Sequence, residues 1–463
     1  MKTEHFIMLV MVALIAGMLF LSWSCSGTKK EESNTHQRPV SEVITPEWAK
    51  DAAIYEVNIR QYTPEGTINA FATHLPRLKE LGVKILWIMP IHPIGELNRK
   101  GSLGSYYAVK DYVAVNPEFG SMDDFKAMVA KAHELGFKVI LDWVANHTAW
   151  DNPWMTEHPE WYTKDSSGKV LSPFDWSDVA DLKYEDNPAL WEAMTNAMKF
   201  WVQEADIDGY RCDVAGMVPV AFWDQVRQAL TQLKPVFMLA EDEGERALML
   251  KAFDANYGWE MHHILNKIAD GEQKAGQLWD YFRKNDSLFA ESSYRMYFTS
   301  NHDENSWNGT EYERMGDGVK AFAVLTYTVP GFPLIYNGQE ASLNKRLRFF
   351  EKDTIDWTGT DLSGMYSRLN ALKRENPVLW NGAEGGKMRP VKTSKADEIF
   401  AFARKKDDRK LIVFINLTGH EQDFVVEDDK AAGTFTDVFS AETINIENGM
   451  HLTLPAWGYL VLE

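Results

Sequence analysis

The sequence is 463 residues long and 45% hydrophobic, which is enough for a large core and for one big domain with a smaller one beside it. Its formal net charge of −19 argues against a nucleic-acid partner, because such a partner requires a basic surface. An uncharged substrate, such as a neutral glycan, remains compatible with this charge.

The N-terminal 25 residues differ from the rest of the chain. Lys2 precedes an apolar run over residues 6–21, and Cys25 follows shortly after that run. This order is typical of an export signal, and the placement of Cys25 resembles that of the acylated cysteine of bacterial lipoproteins. We therefore expect residues 1–25 to be a lipoprotein signal. Lipidation of Cys25 would anchor the exported chain in a membrane, facing the periplasm or in the outer membrane. The alternative is an uncleaved transmembrane anchor, because the run is almost long enough to span a bilayer.

Residues 26–46 are polar and show no apolar period, so we predict a tether. If Cys25 is acylated, Cys212 is the only other cysteine and no internal disulfide can form. Cys212 lies in an apolar strand pattern, which favours a packed small side chain over a reactive thiol.

From Ala53 onward, apolar strand patterns alternate with amphipathic helical patterns. Pro76 falls inside the first helical pattern, so that helix is expected to be kinked or to start late. The second helix is closed by Gly136. The predicted strands cover residues 54–59, 83–89, 138–143, 209–214, 236–240, 294–299 and 332–336, and the predicted helices cover residues 71–81, 122–135 and 220–233.

Repeated strand–helix units predict a parallel sheet with helical crossovers. Roughly eight strands over about 340 residues favour a closed (β/α)₈ barrel over an open doubly wound sheet, and we place it at residues 47–385. The Trp-, Pro- and Asp-rich stretch at residues 148–188 lacks a helical period and is predicted to be a small subdomain inserted after the third strand. Residues 386–463 alternate as short strands, which predicts a C-terminal antiparallel β domain, a β-sandwich.

In such a barrel the active site lies at the C-terminal ends of the strands. Arg211 and Asp213 are two residues apart on one strand, so their side chains point to the same face. A guanidinium beside a carboxylate favours the ionised form that a nucleophile needs, although a structural ion pair is the alternative. Four predicted strands end in acids, with two histidines beside them: Asp142, His147, Asp213, Glu241, His302 and Asp303.

The chain resembles the α-amylase family of glycoside hydrolases (family 13) from about residue 53 to its C-terminus. The resemblance rests on an ordered set of motifs rather than on any single one. In chain order, they are YAVKDY (107–112), DWVANH (142–147), VADL (179–182), GYRCDVA (209–215), AE (240–241), NHD (301–303) and GFPLIYNGQE (331–340).

The resemblance implies that Asp213 forms a covalent glycosyl-enzyme and that Glu241 is the acid/base. Glu243 is the rival to Glu241, which we prefer because it directly follows the strand and the small Ala240. Asp303 would grip sugar hydroxyls and stabilise the transition state. The implied substrate-binding residues are Tyr107, which stacks on the sugar ring, His147 and His302, which donate hydrogen bonds to that sugar, and Arg211.

The family's chemistry requires no cofactor, but Asn146 and Asp181 match positions associated with calcium, so we expect that calcium can bind. Where amylases often carry a Lys-His pair, this sequence has Gly216 and Met217, so the usual histidine contribution to the calcium site and the acceptor subsites is unsettled.

The resemblance implies hydrolysis of α-glucosidic bonds, with α-1,4 expected and α-1,6 left open, in starch-like glucans or maltooligosaccharides. Transglycosylation on the same substrates is the first alternative. A non-catalytic, amylase-like binding protein is the second, and the presence of all three catalytic acids speaks against it.

Overall fold

The computed structural model describes residues 38–463 of the chain. The predicted signal segment, Cys25 and residues 26–37 of the predicted tether lie outside the described residues. Between residues 38 and 463, none of the helices has both the length and the apolar character needed to cross a membrane.

Numbered in chain order, the strands within residues 38–463 are β1 (Ile54–Val57), β2 (Ile85–Ile88), β3 (Lys138–Trp143), β4 (His147–Ala149), β5 (Val179–Asp181), β6 (Gly209–Cys212), β7 (Phe237–Ala240), β8 (Ala255–Tyr257), β9 (Tyr294–Tyr297), β10 (Phe332–Tyr336), β11 (Lys387–Pro390), β12 (Ile399–Lys406), β13 (Arg409–Asn416), β14 (Gln422–Val425), β15 (Gly433–Thr436), β16 (Thr443–Ile446), β17 (His451–Leu454) and β18 (Tyr459–Leu462). Eight of these strands are parallel and close into a barrel, in the order β1-β10-β9-β8-β7-β6-β3-β2. The predicted (β/α)₈ fold is thus confirmed.

Alternation along each barrel strand sorts its side chains between two hydrophobic layers. Ile54 and Ile140 belong to the core inside the barrel, whereas Tyr55 and Leu141 pack in the layer between the strands and the helices. Residues two positions after the inward-facing ones therefore point into the barrel at its C-terminal rim. Cys212 is fully buried in the outer layer, consistent with a packed small side chain.

The predicted helix at residues 71–81 is two helices, α2 (Ile68–Ala72) and α3 (Leu75–Leu81), and Pro76 lies in the first turn of α3. The proline delays the second helix because it has no N–H to donate and fits best in a first turn. In chain order, the α-helices are α1 (Ile59–Tyr62), α2 (Ile68–Ala72), α3 (Leu75–Leu81), α4 (Met122–Glu134), α5 (Trp154–Glu157), α6 (Pro188–Ala205), α7 (Val220–Thr231), α8 (Leu248–Lys251), α9 (Trp259–Ala269), α10 (Gln277–Leu288), α11 (Glu311–Met315), α12 (Val319–Thr328) and α13 (Ser363–Glu375).

The insertion after β3 is built on a small antiparallel pair of strands, β4 and β5. Between them lie only the one-turn helix α5, a 3₁₀ turn at Pro159–Trp161 and irregular backbone. The pairing places His147 opposite Asp181 and so holds this segment above the C-terminal rim of β3.

The C-terminal part of the chain is antiparallel, as predicted. Strands β11, β12, β13 and β18 form one sheet, and two further pairs, β14 with β17 and β15 with β16, pack on it through side chains such as Ile412 and Phe414. The opposite face of the sheet packs on the barrel, where the ring centroids of Phe400 and of Trp279 in α10 are 5.1 Å apart. Residues 38–463 form one compact unit, so the domain boundary at 385 stays a prediction.

Candidate active site

One buried arginine joins three of the acids that the sequence placed at the rim. Arg211 lies at the end of β6, and its side chain is completely inaccessible to solvent. Its Nη1 donates to Asp142 Oδ1 and to Asp213 Oδ1, each at 2.9 Å. Its Nη2 lies 2.9 Å from Glu241 Oε2 as an ion pair. A single guanidinium therefore holds the carboxylates of β3, β6 and β7 in one cluster.

Further contacts fix the orientation of the Arg211 guanidinium. The Nε atom donates to the hydroxyl of Tyr257 at 3.1 Å, and the guanidinium lies 5.1 Å from the ring centre of Trp87. The Trp87 indole in turn donates to Asp142 Oδ2 at 3.1 Å. Buried charges are stable only when paired and hydrogen-bonded, and here every partner lies on a barrel strand or directly after one.

Asp213 and Glu241 share one buried electrostatic environment. Burial raises the pKa of Asp213 well above its usual range, while Arg211 lowers it and Glu241 raises it further. Burial also raises the pKa of Glu241, against the lowering effect of Arg211. Arg211 opposes the effect of burial on both carboxyls, because its positive charge favours their ionised forms. Two such neighbouring carboxyls titrate as a pair, and the singly protonated pair supplies one acid and one anion.

A strained residue positions Glu241. Val214 follows Asp213 and has φ 36° and ψ 48°, in the left-handed region that β-branched residues avoid. In this conformation its backbone N–H donates to Glu241 Oε2 at 2.8 Å. The strained backbone of Val214 thus orients the Glu241 carboxylate, which follows the neighbouring strand β7.

The rival carboxylate, Glu243, lies apart from this cluster. Its Oε2 accepts from the backbone N–H of Glu260 at 2.6 Å, and its Oε1 accepts from Tyr281 at 3.5 Å. Glu241, not Glu243, contacts Arg211, as the preference for the residue directly after β7 implied.

His302 and Asp303 lie on the loop after β9. His302 Nδ1 is 2.5 Å from Glu56 Oε1, and its Nε2 is 3.3 Å from Asp303 Oδ2. Burial alone would lower the pKa of His302, but Asp303 and Glu56 raise it to about 9. The ring is therefore cationic at neutral pH. The Asp303 side chain is 36% exposed, so it is accessible from solvent.

Tyr107 closes the cluster from the loop before α4. Its hydroxyl donates to Asp142 Oδ2 at 3.0 Å and lies 2.7 Å from His302 Nε2. Its ring stacks on the His302 ring, with centroids 5.4 Å apart. This places the tyrosine ring among the residues predicted to contact one sugar.

His147 reaches the site from the start of β4. Burial lowers its pKa to about 3, so at neutral pH it is an uncharged imidazole with one N–H to donate. The ring packs edge-on against Trp176 of the inserted segment, at 5.6 Å between centroids.

The two residues expected to bind calcium come together only in part. Asn146 directly precedes β4 and Asp181 ends β5, and the pairing of the two strands sets Asp181 opposite His147, the residue after Asn146. Calcium takes six to eight oxygen ligands. Within residues 38–463, no group of three or more His, Cys, Asp or Glu side chains is arranged to hold a metal ion. The remaining ligands would have to be carbonyls and water.

The sequence carries two known domains in the order of the fold. A model described as the alpha amylase catalytic domain matches residues 31–176 and 158–389, and one described as the maltogenic amylase C-terminal domain matches residues 388–461. The chain belongs to the alpha-amylase family of glycoside hydrolases. Its barrel and C-terminal sheets are thus the catalytic and C-terminal domains of that family.

Three similar proteins illustrate the range of this family. The crystal structure of an alpha-amylase from Lactobacillus plantarum is 31% identical with a TM-score of 0.80, covering 89% of this chain and 98% of its own. Alpha-amylase MalA of Haloarcula japonica is 26% identical over 80% of this chain. The alpha-1,4-glucan:maltose-1-phosphate maltosyltransferase of Salinibacter ruber is 27% identical over 82%. The chain spans only 56% and 61% of the length of the latter two.

Three side chains of the cluster were not predicted from the sequence. Glu56 stands on β1, where a lone charge inside the apolar pattern IYEV was a usable sign of a buried ion pair. Trp87 on β2 gives no such sign, because tryptophan is ordinary in an apolar strand. Tyr257 lies on β8, a three-residue strand that the patterns did not reveal.

Proposed function

We propose that this alpha-amylase family member is a retaining glycoside hydrolase that cleaves α-glucosidic bonds, α-1,4 in the first place, in starch-like glucans or maltooligosaccharides. The observation that carries the proposal is the contact of one buried guanidinium, Arg211, with both Asp213 and Glu241. A retaining mechanism needs two carboxyl groups about 5–5.5 Å apart, and a shared guanidinium keeps two carboxyls close.

In the proposed mechanism, the carboxylate of Asp213 attacks the anomeric carbon while the glycosidic oxygen leaves with the proton of Glu241. The product of this step is a glycosyl ester on Asp213. Glu241, now an anion, takes a proton from water as the water oxygen attacks the same carbon and releases Asp213. Each carboxyl group returns to its starting state after one turnover.

The other polar groups would act on the sugar that is transferred. Asp303 accepts hydrogen bonds from its hydroxyl groups, and the positive charge of His302 suits a donor to the same sugar. His147 and Tyr107 complete the contacts, the first as a neutral donor and the second as a ring beside the sugar. Asp142 has a different task in this proposal, because it touches Arg211 and Trp87 and so positions the arginine.

Transglycosylation is the second candidate. It is favoured by the similarity to a protein named as a maltosyltransferase, which transfers a sugar rather than releasing it to water. In this case a sugar hydroxyl replaces water in the second step. Product analysis with and without an added acceptor sugar separates the two reactions.

We also propose that calcium binds at Asn146 and Asp181, where it would tie the inserted segment to the end of β3. Calorimetric titration of the metal-stripped protein with calcium is expected to give saturable binding that Asp181→Asn weakens. The absence of binding, or equal binding by the variant, would overturn this assignment.

We further propose export and a lipid anchor on Cys25, from the sequence pattern of residues 1–25. In a bacterial expression host, the wild-type protein should fractionate with membranes, and Cys25→Ser should lose its lipid and leave the membrane fraction. A variant that remains bound to membranes would favour the transmembrane anchor instead.

The function itself is tested by a substrate panel of starch, pullulan, maltotriose and isomaltose, with the first-formed anomer followed by NMR. We expect cleavage of the α-1,4-linked substrates and an α-anomeric product. A β-anomeric first product would refute retention, and turnover of isomaltose alone would refute the bond specificity. Asp213→Asn should abolish turnover, and unchanged activity of this variant would refute the mechanism.

A further inference from the structure

An exposed tryptophan stands beside the catalytic rim and has no role in the mechanism above. Trp307 is 51% exposed, which is unusual for so large an apolar side chain. It lies on the π-helical turn Glu304–Asn308, which begins directly after Asp303. Turns of this kind are rare and frequently occur at functional sites.

The turn is firmly held although Trp307 is exposed. The Glu304 carboxylate lies 3.1 Å from His262 Nε2, and both side chains are buried. Asn305 accepts from the backbone N–H of Leu347 at 2.9 Å and donates to the carbonyl of Lys345 at 3.0 Å. An aromatic ring on such a frame loses little conformational freedom when a ligand binds to it.

Aromatic rings connect Trp307 with the centre of the site. The Trp307 ring lies 5.3 Å from the ring of Phe349. Phe349 stacks on Tyr107, with centroids 6.2 Å apart and planes 11° apart, and lies 6.4 Å from His302. A row of packed aromatic rings thus connects Tyr107 with Trp307, of which Trp307 is the exposed member.

We propose that Trp307, backed by Phe349, binds a distal glucosyl unit of the α-glucan on the non-reducing side of the cleaved bond. This inference rests on the proposed function. Glucosyl rings present apolar C–H faces that suit a flat aromatic surface. The side follows from the ring packing, because Phe349 lies beside Tyr107 and His302, which are assigned to the transferred sugar, whereas Glu241 is assigned to the leaving group.

The alternative is a purely structural role, in which Trp307 covers Phe349 and the neighbouring Phe350, 5.7 Å away. A structural role does not require that half of the Trp307 side chain be exposed to solvent. A structural role also predicts equal effects on substrates of all lengths. A binding role predicts a larger effect on long substrates, because a short substrate extends less far toward Trp307.

The experiment compares the wild type, Trp307→Ala and Trp307→Phe on maltotriose and maltohexaose. We expect the ratio of kcat/KM for maltohexaose to that for maltotriose to fall about tenfold in Trp307→Ala, mainly through KM, which corresponds to about 1.4 kcal/mol. Trp307→Phe should recover most of the ratio, because it keeps an aromatic ring. With maltohexaose labelled at its reducing end, cleavage by Trp307→Ala should move toward the non-reducing end.

An unchanged ratio and cleavage pattern would overturn the subsite while leaving the proposed function intact. So would an equal loss on both substrates together with a lower Tm, the result expected of a structural role. A wild-type enzyme that neither hydrolyses nor binds maltohexaose, the latter measured by calorimetry, would overturn the proposed function and the subsite together. That failure is seen before any variant is compared.

Discussion

The buried pair of Glu56 and His302 offers a sharp test of the electrostatics of the site, through the substitution Glu56→Gln. The Glu56 side chain is fully buried, and its carboxylate lies 2.5 Å from the imidazole. Glutamine keeps the size of the side chain and an oxygen that accepts a hydrogen bond, but it removes the negative charge. Asp303 remains as the other anion beside the ring.

The magnitude follows from the pKa of His302. Burial lowers this pKa, and Asp303 and Glu56 together raise it from the ordinary 6.5 to about 9. One pH unit corresponds to about 1.4 kcal/mol, so the charged form is favoured by roughly 3 kcal/mol. A single opposite charge at this distance accounts for about one to three pH units. We therefore expect the pKa of His302 in the variant to fall by about one to two pH units.

The direction of the pH dependence follows from the protonation state of His302 that folding stabilises. Because the folded-state pKa of His302 is raised, its contribution to stability is complete below the unfolded value of about 6.5 and is lost as the pH rises through about 9. Loss of the Glu56 charge should move this loss of stability to lower pH.

The assay is an NMR titration of the His302 ring from about pH 5 to about pH 10, because the alkaline limb of activity would report the Glu241 proton as well. The midpoint should lie near pH 9 in the wild type and about one to two pH units lower in Glu56→Gln. Glu65→Gln, at an exposed position, is the matched control and should leave the midpoint in place. The same midpoint in Glu56→Gln and the wild type would refute the reasoning.

Four further substitutions test other parts of the site. Tyr257→Phe leaves the Arg211 Nε without an acceptor and should lower kcat/KM about tenfold, for a loss of roughly 1–3 kcal/mol; a wild-type rate would contradict this. Val214→Gly relieves the left-handed strain and should raise the free energy of unfolding in urea by about 1 kcal/mol, so a less stable variant would show that the strain is absent. Glu241→Gln should lose at least about a hundredfold in kcat while Glu243→Gln keeps most of it, and the reverse order would exchange their roles.

Much of the barrel could be predicted because its determinants are local. Apolar runs alternating with helical periods reveal strands and crossovers, and the same alternation places Arg211 and Asp213 on one face. The strand that was missed, β8, has three residues, too few to show a period. The sequence predicted that Pro76 disturbs the helix, but it did not predict where the second helix starts. That position depends on the packing of the turn between α2 and α3.

The partners of the rim residues could not be predicted, because they meet only when the barrel closes. Glu56 and His302 are 246 residues apart in sequence, and Tyr257 and Arg211 are 46 apart. Sequence spacing cannot predict such pairs unless the order of the strands in the barrel is known. The balance between burial and ion pairing at Asp213 has the same origin, since the extent of burial depends on the whole rim.

The central claim is that Asp213 becomes covalently linked to the sugar, and mass spectrometry of a trapped intermediate tests it most directly. An α-glucosyl fluoride needs no acid to leave, so Glu241→Gln should form the glycosyl-enzyme but hydrolyse it slowly. After an acid quench and proteolysis, the peptide that contains Asp213 should carry one added glucosyl group, and Asp213→Asn should carry none. An adduct on another residue, or no adduct while the fluoride is consumed, would contradict the account.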